Sequence, residues 1–387
     1  MALTPLNRPR PTAHPGADRA RPPHPDALQR VLVVRADNLG DVVMATPVLR
    51  ALRAALPRAR IDLLASPAGA AAAPLLPWVD GVLAVSPSWQ QLDPAATDPD
   101  GDERLLARLR AGRYTAMLVL TSAAQSPWPV AELGRLAGVG VRAVHSTEFG
   151  GAAATHWVSP PPRRTHQVDR GLHLLAALGI PDAGSGPALR IPHDAAECAA
   201  RLPGTERFAL VVPGASCPSR RYPAGRFGAV AARIAAAGTA VRVCGTAAEA
   251  DVVAEVVATA GHPGVRALPA VPLPEFAALI AAAAVAVTNN SAGMHLADAV
   301  GTPVVVTHGG TERLTDMRPR QVPSVLLCAP VGCSPCRQLR CPYDPALPAC
   351  LDLPPERVAT AALALAEPAP DPFREDPWWT THALLTA

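Results

Sequence analysis

The chain reads as an α/β protein built from two Rossmann-like halves, and three observations predict it. Its 387 residues exceed one ordinary α/β core, so two domains of about 150 residues each are expected. Short apolar runs alternate with helical stretches along most of its length, the pattern of a parallel sheet covered by helices. The second half then begins as the first does, with an apolar strand, a loop of small and polar residues, and a helix.

Taken in order, residues 1–27 are rich in Pro, Arg, His and Ala and lack the apolar core of a signal peptide, so they predict a disordered arm. Its Arg8, Arg10, Arg19 and Arg21 either sit in solvent or touch anionic lipid. A first domain is expected over 28–195. Val31–Val34 is its opening strand, and Val42, Ala45, Leu49, Leu52 and Leu56 follow at helical spacing. Ile61–Ala65, Gly81–Val85 and Ala116–Leu120 continue as strands. A second domain is expected over 196–362, opening on Phe208–Val212 and a helix from near Ala224. Val241–Gly245, Ala284–Thr288 and Thr302–Val306 read as its further strands. Residues 363–387 form an Ala- and Pro-rich tail that carries Trp378 and Trp379.

Composition narrows the function. No run approaches the roughly 20 apolar residues of a membrane span, so a cytoplasmic protein is expected, at most peripheral at the inner face of the membrane. A formal net charge of +3 is too small to argue for nucleic acid. All 35 basic residues are Arg, so a phosphate must be met by arginine or by backbone amides. Eight Cys in a cytoplasmic-looking chain are better read as thiols or metal ligands than as a disulfide framework.

In parallel α/β folds ligands lie beyond the carboxyl ends of the strands, so the strand-to-helix loops are where chemistry is sought. Three stand out. In Arg35–Asp41 (R-A-D-N-L-G-D), Gly40 permits a tight turn and Asp41 opens a helix. Asp41 either takes a proton from an attacking hydroxyl or caps its helix. In Pro213–Pro223, Gly214 and Ser216 let an anion approach backbone amides, while Arg220 and Arg221 supply charge; a solvated basic loop is the alternative. In Thr288–Ala297, Asn290 and Ser291 lead into a helix whose first amides, Ala292 and Gly293, would face a phosphate. His295 in its first turn is either a hydrogen-bond donor to a ligand oxygen or structural.

Together these loops resemble glycosyltransferase family 9, the bacterial lipopolysaccharide heptosyltransferases. That family carries an R-x-x-x-L-G-D-V opening, a P-G-A-S-x-x-x-[KR]-x-[WY]-P loop and a T-[ND]-[ST]-x-x-x-H-L-A segment. All three occur here in order, followed by Gly301–Val305 and Gly309–Thr311, which look like the family's G-T-P and F-G-P-T elements. The resemblance implies a GT-B fold, with an acceptor-binding first domain and a nucleotide-sugar-binding second domain facing a central cleft. It implies inverting, metal-independent transfer of a heptose or related sugar from a nucleotide diphosphate, ADP-linked first of all, to a cell-envelope glycan or lipid-linked acceptor. Asp41 matches the family's base. Ser216, Arg220, Asn290, Ser291, Ala292, Gly293 and His295 match donor-binding positions, and Glu249 matches a ribose-binding acid whose alternative is a helix cap. No cofactor is required. Asn290 stands where many members have Asp, which bears on the donor sugar. A nucleotide-sugar epimerase or hydrolase on the same scaffold, or a non-catalytic nucleotide-sugar-binding protein, are the competing readings.

Cys333, Cys336, Cys341 and Cys350 lie in a Pro-rich stretch of the second half, where similar clusters occur in the family. They either hold a structural zinc ion or remain as reduced or disulfide-linked thiols.

Overall fold

The computed structural model describes residues 22–367 except 92, 94, 96, 123, 124, 203 and 205. Its first half comprises β1 (Arg30–Arg35), α1 (Leu39–Ala55), β2 (Arg60–Ala65), α2 (Pro67–Ala70), β3 (Gly81–Ala84), α3 (Gly101–Gly112), β4 (Ala116–Val119), α4 (Trp128–Leu136), β5 (Val141–His145), β6 (His156–Val158) and α5 (Gln167–Ala177). The second comprises α6 (His193–Ala200), β7 (Phe208–Val212), α7 (Ala224–Ala236), β8 (Ala240–Val243), α8 (Ala250–Ala260), β9 (Val265–Ala267), α9 (Leu273–Ala282), β10 (Val285–Asn289), α10 (Ala292–Val300), β11 (Val304–Thr307), α11 (Leu314–Met317), β12 (Ser324–Leu327) and α12 (Pro355–Ala366).

Continuous apolar runs place the inner strands in the middle of each half. Five of the six residues of β1 and all of β7 and β10 are buried, as strands covered on both faces must be. The sheets are ordered β3-β2-β1-β4-β5-β6 and β12-β11-β10-β7-β8-β9, and every pairing is parallel. Counted within its own half, each sheet has the Rossmann order 3-2-1-4-5-6, with a topological switch point between its first and fourth strands. Ligand chemistry is therefore directed to the loops after β1, β7 and β10.

Helix α1 carries a proline in its interior. Pro47 cannot donate to the Val43 carbonyl, and the Thr46 hydroxyl donates to that carbonyl instead, at 2.7 Å, so the helix continues. The halves meet where α1 packs on α10, with Val43 inside the apolar cluster of the second sheet. Polar ties flank that contact: Arg320 pairs with Asp169 at 2.7 Å, and His166 Nε2 lies 3.0 Å from the Arg318 carbonyl.

Helical elements mark both ends of the described residues. The described chain starts inside the expected arm, where Pro25–Leu28 forms a 3-10 turn and Leu28 enters the first core, because one apolar side chain there has a sheet to cover. At the other end α12 runs past residue 362 to Ala366, since Ala359, Ala362 and Ala366 are its buried face. Arg8, Arg10, Arg19, Arg21, Trp378 and Trp379 lie outside the described residues. Among the described residues no helix is long and apolar enough to cross a membrane.

Candidate active site

The loop after β1 is organised by a buried arginine. Arg35, only 1% exposed, ends the strand and donates from Nη2 to Asp41 Oδ1 at 2.6 Å and to Ser122 Oγ at 2.9 Å. Its Nε lies 3.2 Å from Asp37 Oδ2, and Nη1 donates to the Leu120 carbonyl at 3.3 Å. Burial alone would lower the pKa of this guanidinium; Asp37 and Asp41 outweigh it and hold the group charged. Asp37 is pushed up by burial and by Asp41, against the pull of Arg35 and a hydrogen bond from Gln125. Asp41 lies in the first turn of α1 without capping it, so the helix-cap alternative does not describe its contacts.

Opposite, Asn289 builds the second half's loop. This fully buried amide donates to the carbonyls of Pro213 (2.8 Å) and Gly214 (3.1 Å) and accepts from Tyr222 N–H and the Thr307 hydroxyl, both at 2.9 Å. All its capacity is used, so the turn after β7 is fixed beside β10. The neighbouring Ser216 N–H donates to Ser291 Oγ at 3.3 Å. Ser291 does not cap α10 with its own side chain, which leaves the Ala292 and Gly293 amides at the helix start with the positive end of its dipole. Of the two arginines, Arg221 is spent on the Ala215 carbonyl, while Arg220 faces the cleft and is held by Thr311 Oγ1 (2.9 Å) and Glu312 Oε1 (2.8 Å).

Asn290 and Gly309 bond in both directions: Gly309 N–H donates to Oδ1 at 2.9 Å, and Nδ2 donates to the Gly309 carbonyl at 3.3 Å. Glu249 completes a capping box with Thr246 through one oxygen; its other oxygen lies against Gly214, where a Cβ would stand 2.0 Å away. Glycine at 40 is required by close approach across the halves, because a Cβ there would lie 2.4 Å from the His295 ring.

These elements enclose one cavity of about 610 Å³. Its wall contains Asp41 from the first half and Ser216, Arg220, Glu249, Asn290, Ser291, Ala292, Gly293 and His295 from the second. Sequence reasoning missed four groups that share the wall or support it: the Arg35–Asp37 pair, His308, Glu312 and Arg337. Arg35 was visible as a motif letter, but nothing in the letters gave its partners.

Three of the four buried histidines among the described residues, His145, His295 and His308, have strongly lowered pKa values. Burial, with nearby cations, pushes His145 and His295 down to about 3 and His308 to about 4. Each is neutral when folded yet titrates near 6.5 when unfolded. The unfolded chain therefore binds more protons in that window, and stability is complete above pH 6.5 and lost as pH falls toward 3–4. Denaturant unfolding should show losses on the order of 2 kcal/mol per histidine between pH 6.5 and 5. A flat profile would show that these rings accept protons without cost.

Among the described residues no three His, Cys, Asp or Glu side chains are gathered as a metal site. Cys350 is drawn into the core of the second sheet while Cys333 is exposed, and Cys336 and Cys341 are half-buried; all four are free thiols. Burial pushes the Cys350 thiol up, away from the thiolate a metal needs.

Two Rossmann-like halves joined over a shared cavity make the GT-B fold. Residues 103–347 match the family model for glycosyltransferase family 9 (heptosyltransferase), and the chain belongs to that family. The match begins downstream of the Arg35–Asp41 loop. Among solved structures, the chain is similar to a glycosyl transferase family 9 protein from Veillonella parvula DSM 2008, with 20% identity and a TM-score of 0.69 over 87% of this chain and 97% of that one. It is similar to the E. coli ADP-heptose lps heptosyltransferase II, with 21% identity and a TM-score of 0.67 over 87% and 98%. It is also similar to the E. coli heptosyltransferase WaaC with ADP, with 18% identity and a TM-score of 0.61 over 87% and 99%. At these identities the likeness is one of fold. No curated protein matches the sequence.

Proposed function

We propose that this enzyme transfers a heptose or related sugar from an ADP-linked donor to a cell-envelope glycan or lipid-linked acceptor, with inversion and without a metal ion in the chemistry. The observation that carries this reading is the meeting, in one cavity, of the Arg35-held Asp41 with Arg220 and the open start of α10, which come from opposite halves. The nucleotide-sugar class is supported by two E. coli proteins of the same fold, an ADP-heptose lps heptosyltransferase II and the heptosyltransferase WaaC with ADP. An acceptor reaching from the cytoplasmic face of the membrane is consistent with this chemistry.

In this reading the acceptor hydroxyl gives its proton to Asp41 as its oxygen bonds to the anomeric carbon. The diphosphate leaves from the opposite face with the electron pair of the broken bond. Its added charge is met by the Ala292 and Gly293 amides and by Arg220, a fixed set of donors that needs no reorganisation. Glu249 is offered to the ribose, Ser216 and Asn290 to the phosphate and sugar oxygens, and His295, neutral and buried, to an oxygen near the reacting carbon.

Thermal melting against ADP-, UDP-, GDP- and dTDP-sugars tests the donor. A ligand at about 100 times its dissociation constant stabilises the folded state by about 2.7 kcal/mol. Stabilisation by one nucleotide class, lost in Arg220→Ala, is expected. If none of the four stabilises the protein, the donor assignment fails.

A further inference from the structure

Among the described residues, the cysteine-rich segment between β12 and α12 reaches the cavity wall only through Arg337, and its main chain is fastened to the site on two sides. Cys336 N–H donates to the Gly310 carbonyl at 3.0 Å and Arg337 N–H to the Thr311 carbonyl at 3.1 Å. From the other side Ser219 N–H donates to the Leu339 carbonyl at 3.1 Å, and the Ser219 hydroxyl donates to the Gln338 carbonyl. The segment is thus pinned between the loop that holds Arg220 and the turn that carries it.

Arg337 lies at the centre of this strap, with φ of 55°. Among the described residues one other non-glycine has positive φ, Arg113, and it closes α3 at a helix C-cap where left-handed backbone is routine. Arg337 ends no helix. A side-chain-bearing residue in that region is uncommon and points to a function for the turn. Here the turn brings the guanidinium to the cavity wall, with Nη1 3.8 Å from Glu312 Oε2. Glu312 Oε1 is already bonded to Arg220, so one carboxylate stands between two guanidinium groups. The cluster keeps a surplus positive charge beside the start of α10, and a carboxylate shared in this way can be displaced by a more highly charged anion.

We propose that the cysteine-rich segment is an active-site strap and that Arg337 is the second arginine of the donor's diphosphate site. This rests on the donor reading above. The sheet order supports the placement: with the ribose near Glu249 after β8 and the diphosphate at β10, the next loop along the edge follows β11 and carries Glu312, against which Arg337 sits. On binding, a phosphate oxygen takes the place of the Glu312 carboxylate between Arg220 and Arg337.

The test is calorimetric titration of the full chain with ADP, UDP, GDP and dTDP, for the unmodified protein, Arg337→Ala and Arg337→Gly. Glycine suits the left-handed backbone and removes the side chain, so Arg337→Gly should melt no lower than the unmodified protein. Loss of one charge-assisted contact should weaken the preferred nucleoside diphosphate about tenfold or more in both variants. Affinities within twofold of the unmodified protein would overturn the proposal, as would a loss of affinity in Arg337→Gly accompanied by a lower melting temperature. Failure of the unmodified protein to bind any of the four would instead remove the donor reading, and this proposal with it.

Discussion

Replacing Asp41 with Asn is expected to reduce sugar transfer by about 10²- to 10⁴-fold while leaving donor binding intact. The amide preserves the shape of the side chain but cannot accept the acceptor's proton. The variant still presents Arg220 and the amides after Ser291 to the diphosphate, since none of them touches Asp41. Paired measurements of turnover and donor affinity check this. Equal loss of both would make Asp41 a binding group, and undiminished turnover would end its assignment as base. An unaltered phenotype would favour the non-catalytic binding protein that the sequence left open.

Arg35→Met should be the costliest single change to stability. Removing one partner from a buried charge cluster typically costs about 3–5 kcal/mol, because the charge left behind has lost its counter-ion. Here Arg35 is 1% exposed and serves both Asp37 and Asp41. The sign of the pH response follows from Asp37, already raised by burial and relieved by Arg35. Without Arg35 its folded value moves further above the unfolded one, so Asp37's contribution to the variant's stability is complete below the usual carboxylate range and is lost as pH rises through the folded value. The difference between variant and unmodified protein should therefore shrink on acidification, and loss of the Arg35 charge, which helps to hold His145 down, acts in the same direction. Denaturant curves at several pH values measure that difference, and a constant one would place the cost in packing rather than charge.

Legibility in the sequence followed the range of the forces involved. The strands were readable because Val31–Val34 and Phe208–Val212 are continuous apolar runs, and burial on two faces demands no partner information. The loop positions were readable because parallel topology fixes which strand ends bear ligands. Side-chain pairing was not. Arg35 and Asp41 are six residues apart, but their contact depends on how a strand end and a helix start are juxtaposed. Arg220 and Glu312 are 92 residues apart and meet through two neighbouring loops. Arg337 gave no signal, because its backbone conformation belongs to a residue type that rarely adopts it. The cysteine spacing left two readings open for a related reason: ligand counting says nothing of which thiol the core will take, and Cys350 is committed to the core. The end of the second half was hard to read because an alanine-rich helix and an alanine-rich tail share a composition, and only packing against α7 tells them apart.

The reciprocal bonding of Asn290 and Gly309 has a bearing on how sugar preference could be redesigned. An amide is self-complementary to a peptide unit, offering one donor and one acceptor, and a carboxylate is not. Asn290→Asp would set two lone-pair-bearing oxygens against one another, its own and the Gly309 carbonyl, and would disturb the loop that orients Thr311 and Glu312. Residue 290 and the main chain at 309 therefore form one heritable unit. Exchanging the letter alone puts a charge into a loop bonded to receive an amide, so a change to Asp at 290 is expected to need a matching change at 309.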